Sequence, residues 1–195
     1  MRVFIALRLP EAFRNSLVDA CTALRAARPG LRWVRPESMH LTLAFLGELD
    51  GAGVEGAIKA ARLAVRSVAP DGRTMAFELG TTGLLAFPSR GPASVLAAAA
   101  GAGARESGLL ALRLERELER VGSETGRPFR PRERRPFSPH VTLARAVRPG
   151  VRLSAAELST PIVASCIVNT LAVFRSGLGP SGARYEVLEA IALRR

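Results

Sequence analysis

The chain has 195 residues, 48% of them apolar, with 28 basic side chains against 17 acidic for a net charge of +11. That length lets it bury roughly 70% of its unfolded surface, enough to fold unaided as one generous domain or two small lobes sharing a core. The opening run to Pro10, broken by Arg8, is too short for a signal-peptide core, and the alanine-rich stretch 93–104 is too short for a membrane span, so a cytoplasmic protein with no membrane contact is expected.

Val3 to Leu9 reads as a buried strand, and Pro10 opens a helix with Phe13, Leu17, Cys21 and Leu24 on one face, ended by Pro29-Gly30. A strand is expected over His40 to Glu48, followed by a helix capped by Asp50 with Val54, Ile58, Ala61, Val65 and Val68 on one face, then a turn at Pro70-Asp71-Gly72. Thr74 to Leu85 and Ala93 to Ala100 read as strands, although the alanine run could equally be helical. The next helix runs from about Glu106 to Val121, with Leu110, Leu114, Leu118 and Val121 inward and Gly122 as its stop. Strands then follow over His140 to Val147, Cys166 to Phe174 and Arg184 to Leu193. Cys21 and Cys166 have no C-x-x-C spacing and fall in apolar segments, which predicts buried free thiols in a reducing compartment.

His40 and His140 are the only histidines, and each opens a near-copy of one strand, His40-Leu41-Thr42-Leu43-Ala44 and His140-Val141-Thr142-Leu143-Ala144. Side chains alternate along a strand, so each imidazole shares a face with its threonine hydroxyl, about 7 Å away, while the aliphatic residues anchor the other face. Across a groove, two imidazoles suit in-line displacement at a phosphodiester: one takes a proton from the attacking oxygen and the other gives one to the leaving oxygen. The hydroxyls of Thr42 and Thr142 can donate to the non-bridging oxygens. Two histidines and two distant cysteines are a poor zinc set, so neither metal nor cofactor is expected. The interleaved strands and helices, with one motif in each half, predict an α+β fold of two related lobes with a central groove.

In both blocks the chain resembles the 2H phosphoesterases, and within them the bacterial and archaeal RNA 2',3'-cyclic phosphodiesterases, also called 2'-5' RNA ligase-like proteins. Arg32-Trp33-Val34-Arg35-Pro36-Glu37 running into His40 to Glu48 resembles the first family block, and Arg135-Pro136-Phe137-Ser138-Pro139 running into His140 to Arg145 the second. The opening Arg2-Val3-Phe4-Ile5-Ala6-Leu7 and the late Gly182-Ala183-Arg184-Tyr185 fit as well. The resemblance implies one bilobal 2H phosphoesterase domain over 1–195, with two pseudo-symmetric lobes of antiparallel β-sheets flanked by helices. It implies metal-independent hydrolysis of a terminal RNA 2',3'-cyclic phosphate to a 2'-phosphomonoester by a monomer, with His40 as proton donor and His140 as proton acceptor. The family usually places a bulkier strand where this chain has Ala97 to Ala100.

Phe45 and Arg145 each lie five positions after their histidine, where strict alternation would turn them away from the groove, so only a bulge or a strand end can aim them into it. The resemblance implies that Arg145 contacts phosphate and Phe45 stacks on a nucleobase; a surface salt bridge and plain core packing are the other readings of these residues. Arg127, Arg130, Arg132, Arg134 and Arg135, interrupted by prolines, predict an extended loop that either grips RNA phosphates or is merely solvated. Reversible 2'-5' RNA ligation or another cyclic or 2'-5' phosphodiester substrate stays open, as does a non-catalytic basic RNA-binding module.

Overall fold

Five consecutive residues at 2% exposure or less, Val3 to Leu7, make β1 (Arg2–Arg8) a core strand. The computed structural model describes residues 1–66, 75–129, 136–146, 150–179 and 182–194. Val68, the turn at 70–72, Thr74, Val147 and the arginines 130, 132, 134 and 135 therefore lie outside the described residues. After β1 come α1 (Glu11–Ala20), α2 (Thr22–Ala27), β2 (Arg32–Trp33), a 3-10 turn (Pro36–Ser38), β3 (His40–Glu48) and α3 (Gly51–Arg66). Next along the chain are β4 (Phe77–Phe87), β5 (Val95–Ala100), α4 (Ala104–Thr125), β6 (His140–Arg145), α5 (Ala155–Leu158), β7 (Ala164–Val168), β8 (Thr170–Gly179) and β9 (Gly182–Ala192).

The strands are ordered β7-β4-β5-β6-β3-β1-β8-β9, with β2 beside β6. Every pairing between them is antiparallel. A half of five strands, β2 included, and a half of four meet between β6 and β3 at one register pair, Leu41 with Val141. Both residues are fully buried, 0% and 1% exposed, and such burial contributes roughly 1.5–3 kcal/mol per side chain. Helix α1 packs on β7 and α4 on β3, so each half's helix leans on a strand of the other, while α3 packs on α4.

Several sequence expectations need correction. The first helix is broken at Cys21, whose N–H turns back to Val18 O at 3.1 Å, a tighter step than the α-helical one. Helix α4 runs through Gly122 to Thr125. There Gly126, at φ 64°, closes it: Arg127 N–H reaches Gly122 O and Gly126 N–H reaches Ser123 O, a Schellman closure. Gly122 instead gives room, because a Cβ there would stand 3.2 Å from Arg127 O. The span 166–174 is two strands split at Asn169, β7 on β4 at one end of the order and β8 on β1 in the other half, next to the terminal strand β9. Cys21 is buried as expected but Cys166 is only partly so, and burial raises both thiols to about 11.

The alanine run is a strand. Ala97 and Ala98 are fully buried between β4 and β6, and Ala97 and Ala99 stand opposite Thr142 and His140, where small side chains leave space beside the motif. In the other half Ala6 stands opposite Thr42. Asp50 caps α3 as expected, its Oδ1 accepting from Gly53 N–H at 2.8 Å.

Candidate active site

The seam between β3 and β6 brings the two motifs together. Continuing the Leu41–Val141 register by one residue sets His40 across from Thr142 and Thr42 across from His140. The two histidines are then diagonal neighbours, roughly 7–8 Å apart at their Cα atoms in a regular ladder. All four side chains are half-buried and line one cavity of about 920 Å³ with Phe45 and Arg145.

Both imidazoles are held in the same way. His40 Nδ1 lies 2.8 Å from Ser38 O and His140 Nδ1 lies 2.7 Å from Ser138 O, each two residues upstream. A carbonyl oxygen only accepts, so Nδ1 carries the hydrogen and Nε2 is left as the reactive nitrogen of each neutral ring. This contact uses backbone, and no residue type signals it.

Phe45 and Arg145 reach the cavity through matching bulges. Along β1 and β3 the partners run Ala6–Thr42 and then Ile5–Ala44, passing over Leu43; along β5 and β6 they run Ala97–Thr142 and then Leu96–Ala144, passing over Leu143. Each bulge falls three residues after a histidine and shifts the alternation beyond it, so the fifth residue faces the same side as His and Thr. Phe45 is 57% exposed, which rules out core packing, and Arg145 makes no ion pair among the described residues. Arg127, from the start of the arginine-rich loop, is committed to Asp50 at 2.6 Å.

The surroundings of the two histidines differ. His40 lies against Phe4 at 4.7 Å and Tyr185 at 5.1 Å between ring centroids, with Phe174 at 6.0 Å, whereas His140 has Phe87 at 4.9 Å. The His40 pKa is lowered to about 4, chiefly by burial in that aromatic wall and to a smaller extent by the charges of Arg145 and His140, with the Ser38 carbonyl opposing them. Sequence reasoning found the four motif residues but not this wall, because Phe4, Phe174 and Tyr185 come from three strands that only the β1–β8–β9 register brings to one face.

An α+β sheet whose two central strands each present an imidazole and a hydroxyl to one groove defines a two-histidine phosphoesterase. The family LigT like Phosphoesterase matches residues 7–97, which include the first motif. An RNA 2',3'-cyclic phosphodiesterase of Thermus thermophilus is 36% identical over 201 residues, covering 100% of this chain and 91% of its own length. The protein of that name from Methanothermobacter thermautotrophicus is 28% identical, covering 99% of each chain. Among solved structures, a Thermus thermophilus protein superposes with a TM-score of 0.80 at 34% identity, covering 100% of this chain and 98% of its own. E. coli LigT complexed with 3'-AMP does so at 0.72 and 25% identity, with the same coverage. The chain belongs to the LigT-like phosphoesterase family.

Proposed function

We propose that this protein opens the 2',3'-cyclic phosphate at the end of an RNA, leaving a 2'-phosphomonoester and a free 3'-hydroxyl. The observation that carries this reading is the pair of imidazoles, each with Nδ1 tied to a carbonyl two residues upstream and Nε2 left for the groove. In the reaction, His140 takes a proton from water as its oxygen attacks phosphorus. The phosphorus to 3'-oxygen bond breaks, and His40 gives its proton to that oxygen. Thr42 and Thr142 donate hydrogen bonds to the non-bridging oxygens, Arg145 pairs with the phosphate charge, and Phe45 offers a ring face to the terminal base. The protein works as a cytoplasmic monomer on an RNA end or a related nucleotide. No helix among the described residues is long and apolar enough to cross a membrane.

The lowered pKa of His40 favours a second reading of the direction. With its pKa at about 4, His40 is neutral at pH 7, the state of a base, so the two histidines would exchange roles, His140 supplying the proton to the leaving oxygen. In the first direction, the charge of a bound phosphate must outweigh the burial and the Arg145 charge that hold the His40 pKa down, and so restore a proton to that ring.

The deciding experiment is incubation with a short RNA ending in a 2',3'-cyclic phosphate, in excess EDTA, with the product end identified by mass and by phosphatase sensitivity. A 2'-phosphate product is expected. An unchanged cyclic end on RNA that nevertheless binds would overturn the enzymatic reading in favour of an RNA-binding module.

A further inference from the structure

The short strand β2 carries an arginine that the proposed reaction does not use. Arg32 pairs directly with Arg145 of β6 in antiparallel register, and Trp33 pairs with Ala144. Residues opposite each other in an antiparallel pair point to the same face, so Arg32 stands on the face that Arg145 turns into the groove. Arg32 is not itself among the residues lining the cavity, but Val34, two residues along, is, and so is Val95, the β5 partner of Arg145 on its other side. Trp33 points the opposite way and anchors β2. Its Nε1 donates to Arg28 O at 3.3 Å, the Arg25 guanidinium lies 5.1 Å from its ring centroid, and Val34 N–H donates to Leu143 O at 2.8 Å.

Like charges directly opposite on a sheet destabilise the pairing. Here both partners are exposed arginines, and neither makes an ion pair among the described residues. Elsewhere on this surface arginines do find carboxylates: Arg28 has Glu157, Arg62 has Glu189, Arg120 has Glu117 and Arg175 has Glu186. What sets the groove end of β2 and β6 apart is that two guanidinium groups, unpaired among the described residues, stand directly opposite each other there, an arrangement that an anion between them would relieve. The charge of Arg145 acts on His40, which assigns Arg145 to the reacting phosphate; Arg32 stands across from it on the edge of β6 that also carries β3, further along from the Leu41–Val141 pair.

We infer that Arg32, beside Arg145, seats a second phosphate of the substrate, the phosphodiester that joins the terminal nucleotide to its neighbour. This rests on the cyclic-phosphate reading above and narrows it: the preferred substrate is an oligonucleotide end, and a 2',3'-cyclic mononucleotide, which has no second phosphate, cannot use the seat.

The test compares kcat/KM for a cyclic-ended dinucleotide and a 2',3'-cyclic mononucleotide in the unsubstituted protein, Arg32→Ala and Arg32→Lys, and measures the salt dependence of binding to a short single-stranded RNA. Losing one charge-assisted phosphate contact should lower the dinucleotide-to-mononucleotide ratio about tenfold in Arg32→Ala, with part of it restored in Arg32→Lys. The slope of log K against log salt should become shallower by about 0.7. Because a like-charge pair is relieved, the melting temperature of Arg32→Ala should hold or rise, which separates a binding role from a structural one. An unaltered substrate ratio together with an unaltered salt slope would overturn the seat. If the unsubstituted protein turned over neither substrate, the cyclic-phosphate reading would fall, and the salt slope alone would still decide whether Arg32 holds a phosphate.

Discussion

His40 should make the fold sensitive to acid in a window that its burial defines. Its folded-state pKa of about 4 lies below the ordinary 6.5, so between those values the unfolded chain binds a proton that the folded chain refuses. Above about pH 6.5 the ring is neutral in both states and there is no penalty; stability falls as pH drops from there to about 4 and then levels off. A gap of about 2.5 units at about 1.4 kcal/mol per unit gives about 3 kcal/mol, an upper bound because part of the ring faces the groove. Urea unfolding of the unsubstituted protein and of His40→Asn at pH 7.5 and 4.5 measures this. The carboxylates titrate alike in both proteins and cancel, so the unsubstituted protein should lose about 2–3 kcal/mol more than the variant. Equal losses would show that the aromatic wall does not desolvate His40, and the reason for exchanging the two roles would be gone.

Removing either imidazole, in His40→Ala or His140→Ala, should lower kcat on cyclic-ended RNA by about 10²–10⁴-fold. On a nucleoside p-nitrophenyl phosphodiester, whose leaving group needs no proton, the variant lacking the donor should recover: His40→Ala in the first direction, His140→Ala in the exchanged one. Recovery of both or neither would refute a division into acid and base. Phe45→Ala should raise KM for RNA ends about tenfold with little change in melting temperature, since base stacking is worth about 1–3 kcal/mol and the ring is mostly exposed; steady-state kinetics and thermal melting check the two halves of that statement. Gly103→Ala should destabilise the protein by about 2 kcal/mol or more, because φ 73° strains any other residue and the new Cβ would collide with Glu78 O at the start of α4; chemical denaturation reads it.

The parts of the fold that were legible in the sequence are those where period and punctuation agree. The strand over His40 to Glu48 has the expected bounds, and Asp50 caps the following helix because a short acceptor side chain directly precedes it. The legible part of the site was the pair of motifs, since alternation along one strand is a local property. The break at Cys21 was invisible because Phe13, Leu17, Cys21 and Leu24 keep a helical spacing across it. The strand pair at Asn169 read as one run because apolar residues continue through a point where the chain leaves one end of the sheet for the opposite half. Gly122 offered the usual stop signal, yet it serves close packing, and the true stop is one turn later. Registers were beyond reach, and with them went the aromatic wall and the Arg32–Arg145 pair.

The near two-fold symmetry of the site resides in its backbone and its asymmetry in its side chains. The carbonyl two residues before each histidine, the threonine two after and the bulge three after repeat in both halves. Beyond the bulge the halves diverge: one presents Phe45 against Phe4, which in turn packs on Phe174 and Tyr185, and the other presents Arg145 beside Arg32. A cyclic phosphate has no two-fold symmetry, because one oxygen leaves and another stays. A symmetric cradle would hold it in either sense with equal ease, so the side chains must choose. In the proposed reaction an apolar aromatic half would favour the sugar and base and a guanidinium half the charged chain, which would fix one orientation of the RNA and hence which imidazole meets the leaving oxygen.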